Sequence, residues 1–190
     1  MKVKIFLGII LCVLSVTTQA QTFKDRLFYG GNFGLMVGQF TDIELSPHVG
    51  YYITNRWAAG VGITYEYYNN KYHFSTAPNH YERYETHIFG WRLFTNYVLV
   101  NNVNDYIPLG LNFRIFAHAE NETLAYEKGF FTYGEQGRQF INSFLVGGGF
   151  RFPTGKRSSM NLTLLWKLNS NDTFNDIYGN RPIIRIGYNF

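Results

Sequence analysis

The chain has 190 residues, with 17 Lys and Arg against 13 Asp and Glu, five His and one Cys; 16% of its residues are charged and 19% are aromatic. That length suits one domain, and a formal net charge of +4 is too small to point to a nucleic-acid partner. Ordinary soluble domains carry charge at about a quarter of their positions, so this shortage, together with 15 Tyr, 18 Phe and 19 Gly, suggests a surface that does not all face water.

Residues 1–20 read as a secretory signal peptide. Lys2 and Lys4 precede the apolar run IFLGIILCVLSV (5–16), and the small-residue stretch TTQA (17–20) follows it. The run is shorter than the ~20 apolar residues of a membrane-spanning helix. Cleavage is expected after Ala20, leaving a single domain of residues 21–190 with a formal charge of +2. Cys12 departs with the signal, and Ile10 and Leu11 before it do not suit lipid attachment. A secreted domain without cysteine must hold itself together by burial and hydrogen bonding.

Past residue 20 no apolar run reaches ten residues, which argues against a helical anchor, and helical periodicity is poor. Alternation with period two recurs instead and predicts eight strands. In chain order they are 28–38, 42–53, 57–68, 86–100, 106–119, 139–152, 159–168 and 182–190. The connections TNR (54–56), NNVND (101–105) and PTGKRS (153–158) are short, whereas 69–83, 120–138 and 169–181 are long. Short turns at one end and longer loops at the other characterise an up-and-down outer-membrane barrel. Ten strands remain an alternative if LAYEK (124–128) and GFFTYG (129–134) form a hairpin.

The two faces of each strand differ. Strand three sets Trp57, Ala59, Val61, Ile63, Tyr65 and Tyr67 against Ala58, Gly60, Gly62, Thr64 and Glu66. Strand five sets Ile107, Leu109, Leu111, Phe113 and Ile115 against Gly110, Asn112, Arg114 and His118. Strand seven sets Met160, Leu162, Leu164, Trp166 and Leu168 against Asn161, Thr163 and Lys167. A soluble barrel would show the same alternation with the apolar face inside. Three features favour apolar-out: glycine crowds the polar face, single charges stand mid-strand on it, and aromatics on the apolar face gather near strand ends. Phe28, Tyr29, Tyr51, Trp57, Tyr97, Tyr106, Phe152, Tyr188 and Phe190 are assigned to one rim. Tyr65, Tyr67, Phe89, Trp91, Phe140 and Trp166 are assigned to the other half.

The expected fold is therefore all-β, an eight-stranded antiparallel up-and-down transmembrane β-barrel. Its last strand must pair with its first, because an open sheet edge in lipid leaves backbone groups unpaired. Glu44, His48, Glu66, Arg92, Arg114, Arg151, Lys167 and Arg185 are the predicted lumen charge network, a plug in a barrel only wide enough for side chains to fill.

The segments FYGGNFGLMVG (28–38), SPHVGYYITNRWAAGVGITYEYY (46–68) and RIGYNF (185–190) resemble the small outer-membrane β-barrel domain proteins of Gram-negative bacteria, especially the Bacteroidetes type. The likeness covers residues 28–190 and is a likeness of architecture, which does not carry a function with it. It implies an integral outer-membrane protein with both termini in the periplasm, expected as a monomer. The implied partners are outer-membrane lipid, lipopolysaccharide and the barrel-insertion machinery. Tyr188 and Phe190 resemble that machinery's C-terminal signal, although the usual pattern places its glycine further upstream than Gly187.

Some constellations hold residue types that carry chemistry elsewhere. Glu44, Ser46 and His48 share one face and have the residue types of a hydrolase triad, also found in an eight-stranded lipid A deacylase. Same-face neighbours on a strand stand about 7 Å apart, whereas nucleophile and base must be within ~3 Å. No enzyme activity is expected. His73, His80 and His87 have no metal-ligand spacing, so neither metal nor cofactor is expected, and they read as solvated loop residues. Gly147, Gly148 and Gly149 lie within a strand and read as a place of curvature or close packing rather than a phosphate loop. A structural role, or a surface interaction through loops such as 73–85 and 130–138, is the leading reading. A narrow porin-like channel and a lipid-modifying enzyme are the alternatives.

Overall fold

A computed structural model describes residues 23–37, 40–74, 81–108, 110–130, 135–169 and 182–190. The expected signal peptide, and residues 75–80, 131–134 and 170–181 of the long connections, lie outside the described residues. Eight strands form one closed barrel: β1 (Leu27–Val37), β2 (Phe40–Tyr52), β3 (Trp57–Phe74), β4 (Tyr81–Val100), β5 (Arg114–Glu127), β6 (Arg138–Pro153), β7 (Ser159–Lys167) and β8 (Ile183–Asn189). Each pairs antiparallel with the next, and β8 returns to β1 through Gly30↔Asn189, Gly31↔Tyr188, Asn32↔Gly187 and Phe33↔Ile186. Tyr29 and Phe190 exchange two backbone hydrogen bonds, of 3.1 and 2.8 Å, at the end of this seam.

The apolar face is the outer one. Ile63, Ile184 and Ile186 are 64%, 66% and 55% exposed, and Val61, Trp91, Leu93, Leu99 and Trp166 are exposed beside them. A soluble barrel would hide such a face. Tyr29, Trp57, Tyr97, Tyr188 and Phe190 stand exposed toward the short-turn end, and Tyr65, Phe89 and Phe140 toward the loop end.

Inside, bulky side chains lie over glycines of neighbouring strands. Following the register from strand to strand gives the row Phe28, Gly50, Gly60, Phe94, Glu120, Leu145 and Lys167. A Cβ at Gly50 would strike the Phe28 ring, and one at Gly60 the Phe94 ring. The glycines of the polar face are thus the space into which the aromatics fold. The adjacent row Gly30, His48, Gly62, Arg92, Glu122 and Ser143 repeats the device for charged groups.

Four expectations are corrected. Strand five spans Arg114–Glu127, not 106–119. Residues 101–108 and 110–113 form a compact turn instead, with a short 3-10 helix at Val103–Asp105 and Gly110 at φ 70°, a conformation that favours glycine. Phe28 does not join the rim: it is 4% exposed and points into the lumen. β3 and β4 run far beyond the predicted 68 and 86, so most of the segment 69–83 is hairpin, not loop. LAYEK adds no extra hairpin; its first four residues end β5.

Candidate functional site

The lumen is layered. At the loop end Ile88, Leu124, Tyr126 and Ile141 pack into an apolar cluster with Tyr68 against it. At the short-turn end Phe28, Ala58 and Phe94 form another, with Tyr52. Between the two lies a layer of ionic groups, delivered by the inward positions of β2, β4, β5 and β8.

Arg185 is the centre of that layer. Its guanidinium forms an ion pair with Glu120 through Nη1, donates from Nη2 to Glu122 Oε1 at 2.9 Å, and has Glu44 Oε1 3.7 Å from Nε. Arg185 is 6% exposed, Glu120 2% and Glu122 0%. His118 Nε2 lies 2.9 Å from Glu120 Oε2, and its Nδ1 lies 2.6 Å from Asn96 Oδ1. Phe94 stacks on the His118 ring at 6.0 Å and meets His48 edge-on at 5.2 Å. Arg92, 2% exposed, donates to the Ser46 carbonyl at 3.2 Å and stands 3.4 Å from His48 Nδ1. His48 Nε2 reaches Asn189 Oδ1 at 2.9 Å, tying β2 to β8. A cavity of about 40 Å³ remains among Arg92, His118, Glu120 and Arg185, room for water only.

The structure brings Glu44, His48, Arg92 and Arg185 into this network. Glu66 is inward on β3, paired in register with Glu44, and hydrogen-bonds Asp42. Lys167 is inward beside Leu145. Arg114 and Arg151 stand apart, one layer nearer the short-turn end, where Arg151 Nε donates to Asn161 Oδ1 at 2.8 Å and its guanidinium lies over Phe116 at 5.2 Å. Tyr188 and Phe190 are exposed on the outer face.

Sequence reasoning missed Asp42, Glu120 and Glu122. The two glutamates fell in what was read as a long loop. Their signal was present, since Glu120 and Glu122 continue the phase of Arg114 and His118.

The triad residue types are together on β2 but not in reach of one another's chemistry. Ser46 is fully buried, and its Oγ lies 3.3 Å from the Ile63 carbonyl and 3.0 Å from Thr64 Oγ1, while the His48 ring bonds elsewhere. Of the three predicted loop histidines, His87 lies on β4 at the outer face, where its Nδ1 is 2.9 Å from the Tyr65 hydroxyl. The His73 side chain and His80 lie outside the described residues. Gly147 and Gly149 face inward, where a Cβ would strike the carbonyls of Leu164 and Leu162, so close strand approach requires them.

No family model matches the chain, and no curated protein is detectably similar to it. Among solved structures, the crystal structure of the N-terminal β-barrel domain of Pseudomonas aeruginosa OprF is similar, with a TM-score of 0.53 at 13% identity. The match covers 87% of this chain and 96% of that one. At that identity the likeness is one of fold, and the fold it establishes is the eight-stranded antiparallel up-and-down barrel.

Proposed function

We propose that the chain is an integral outer-membrane β-barrel with a closed lumen, whose role is structural or a surface interaction made at its loop end. It carries out no catalysis on this reading. The apolar exterior supports the membrane assignment, because exposed isoleucines and leucines around a whole barrel are stable only against lipid. The OprF likeness agrees with it. The observation that carries the closed lumen is the Arg185 cluster: three carboxylates converge on one buried guanidinium across the bore, with apolar clusters on either side. Both termini then face the periplasm, and lipopolysaccharide surrounds the loops.

Conductance in a planar bilayer tests this. Protein refolded in detergent, with a mobility on gels that changes on boiling, should stay silent. Steady, reproducible openings from the same sample would replace the plug with the narrow-channel reading. Solubility of the folded protein without detergent would remove the membrane assignment altogether.

A further inference from the structure

We propose that the short-turn mouth of the barrel is a binding site for a phosphate group carried on a small organic molecule. A cavity of about 400 Å³ opens there, within the range of small-molecule sites and far larger than the pocket inside the ionic layer. Arg114, Arg151, Lys24, Lys156 and Arg157 line it. The acidic side chain among its walls is Asp25, and Arg157 Nη2 already holds it at 2.9 Å.

The arrangement of the two arginines is the main argument. Arg114 and Arg151 are direct cross-strand partners on the inward faces of β5 and β6. Like charges placed directly opposite destabilise a sheet. Elsewhere in this lumen each buried arginine meets a carboxylate, a carbonyl or an amide oxygen. Arg151 spends Nε on Asn161, and Arg114 has no hydrogen-bond or ion-pair partner among the described residues. Two guanidinium forks that line one cavity, with no acid in register between them, suit a tetrahedral oxyanion, which accepts several N–H donors at once. A doubly charged phosphate monoester matches the two arginines with the lysines near them. Phe28, Tyr52 and Pro153 complete the wall and give the organic part an apolar surface.

The test is calorimetric titration of the refolded protein in zwitterionic micelles at low ionic strength. The probes are inorganic phosphate and glycerol 3-phosphate, with sodium chloride at matched ionic strength as the control. One saturable site is expected, weakened at least tenfold in Arg114→Gln and retained in chloride. Because Arg114 is outside the Arg185 network, its variant should melt as the parent does. Lys156→Gln, on the exposed turn, gives a second variant with the same expected direction. Absence of saturable heat, equal binding by parent and Arg114→Gln, or equal competition by chloride would each overturn the proposal. Dihexanoyl phosphatidic acid separates the sources: binding tenfold tighter than glycerol 3-phosphate assigns the site to a lipid headgroup, and equal or weaker binding to a soluble ester, the site standing in both cases.

Discussion

Arg185 shows how one side chain can set the energetics of a lumen. A buried ion pair contributes little net stability relative to well-packed apolar residues, yet removing one partner leaves the other charge stranded. Here three carboxylates share one guanidinium. Arg185→Met is expected to lower stability by about 3–5 kcal/mol, read as the urea midpoint of the folded, heat-modifiable form. Combining it with Glu120→Gln and Glu122→Gln should recover much of the loss, because no stranded charge remains at those positions. A single mutant as stable as its parent would mean that the cluster does not hold the barrel. Arg114 is the contrast: it lies on the same inward face, yet joins no pair, so its loss should cost binding and not folding. The sequence placed both arginines inside but could not tell these roles apart. The distinction depends on Glu120 and Glu122, which stand 65 and 63 positions from Arg185 in the chain.

At the scale of elements, alternation read most strands within a few residues, and the failure at β5 has a physical cause. Residues 107–115 alternate as cleanly as any strand, with Ile107, Leu111 and Phe113 in phase. Pro108 and Gly110 break them into a turn, where Asn104 Oδ1 accepts from the Gly110 N–H at 2.9 Å. The true strand hides its signal. Its outer face is Ala117, Ala119, Asn121, Thr123 and Ala125, too small and polar to register as apolar, and its inner face carries the charges Glu120 and Glu122. The polar outer pair satisfies itself, Asn121 and Asn142 each donating to the other's Oδ1 at 3.0 Å. Interior complementarity gives a prediction at this scale. Gly60→Leu should drive into Phe94 and cost about 1–3 kcal/mol, the usual range for overpacking. Adding Phe94→Ala should relieve it. If the double mutant melts no higher than Gly60→Leu alone, the glycine serves some purpose other than making room for that ring.

The molecule as a whole is a single sheet rolled until its edges meet, and its layers run along the bore: apolar, ionic, apolar, then the basic mouth. Closure was legible in the sequence through the expectation of a lipid exterior, where an unpaired edge has no stable place. How evenly the barrel closes was not legible, since register comes from contacts between distant segments. The ladder between β1 and β8 has four register pairs, whereas that between β1 and β2 has eleven. Amide exchange should therefore be fastest in the ladder at residues 30–33 and 186–189 and slowest between β3 and β4. Uniform protection around the barrel would contradict this.

That short seam also has a temporal meaning. The two strands that form it are the first and the last along the chain, and the His48–Asn189 bond across it spans 141 positions. Hairpins such as β3–β4 can form from neighbouring segments as soon as both exist, but the seam has nothing to join until every other strand is in place, because contacts between distant segments require the larger loss of chain freedom. Until that moment β1 is a lone edge that any foreign strand could occupy. The barrel's birth is therefore a race between its own eighth strand and whatever else lies within reach of the first.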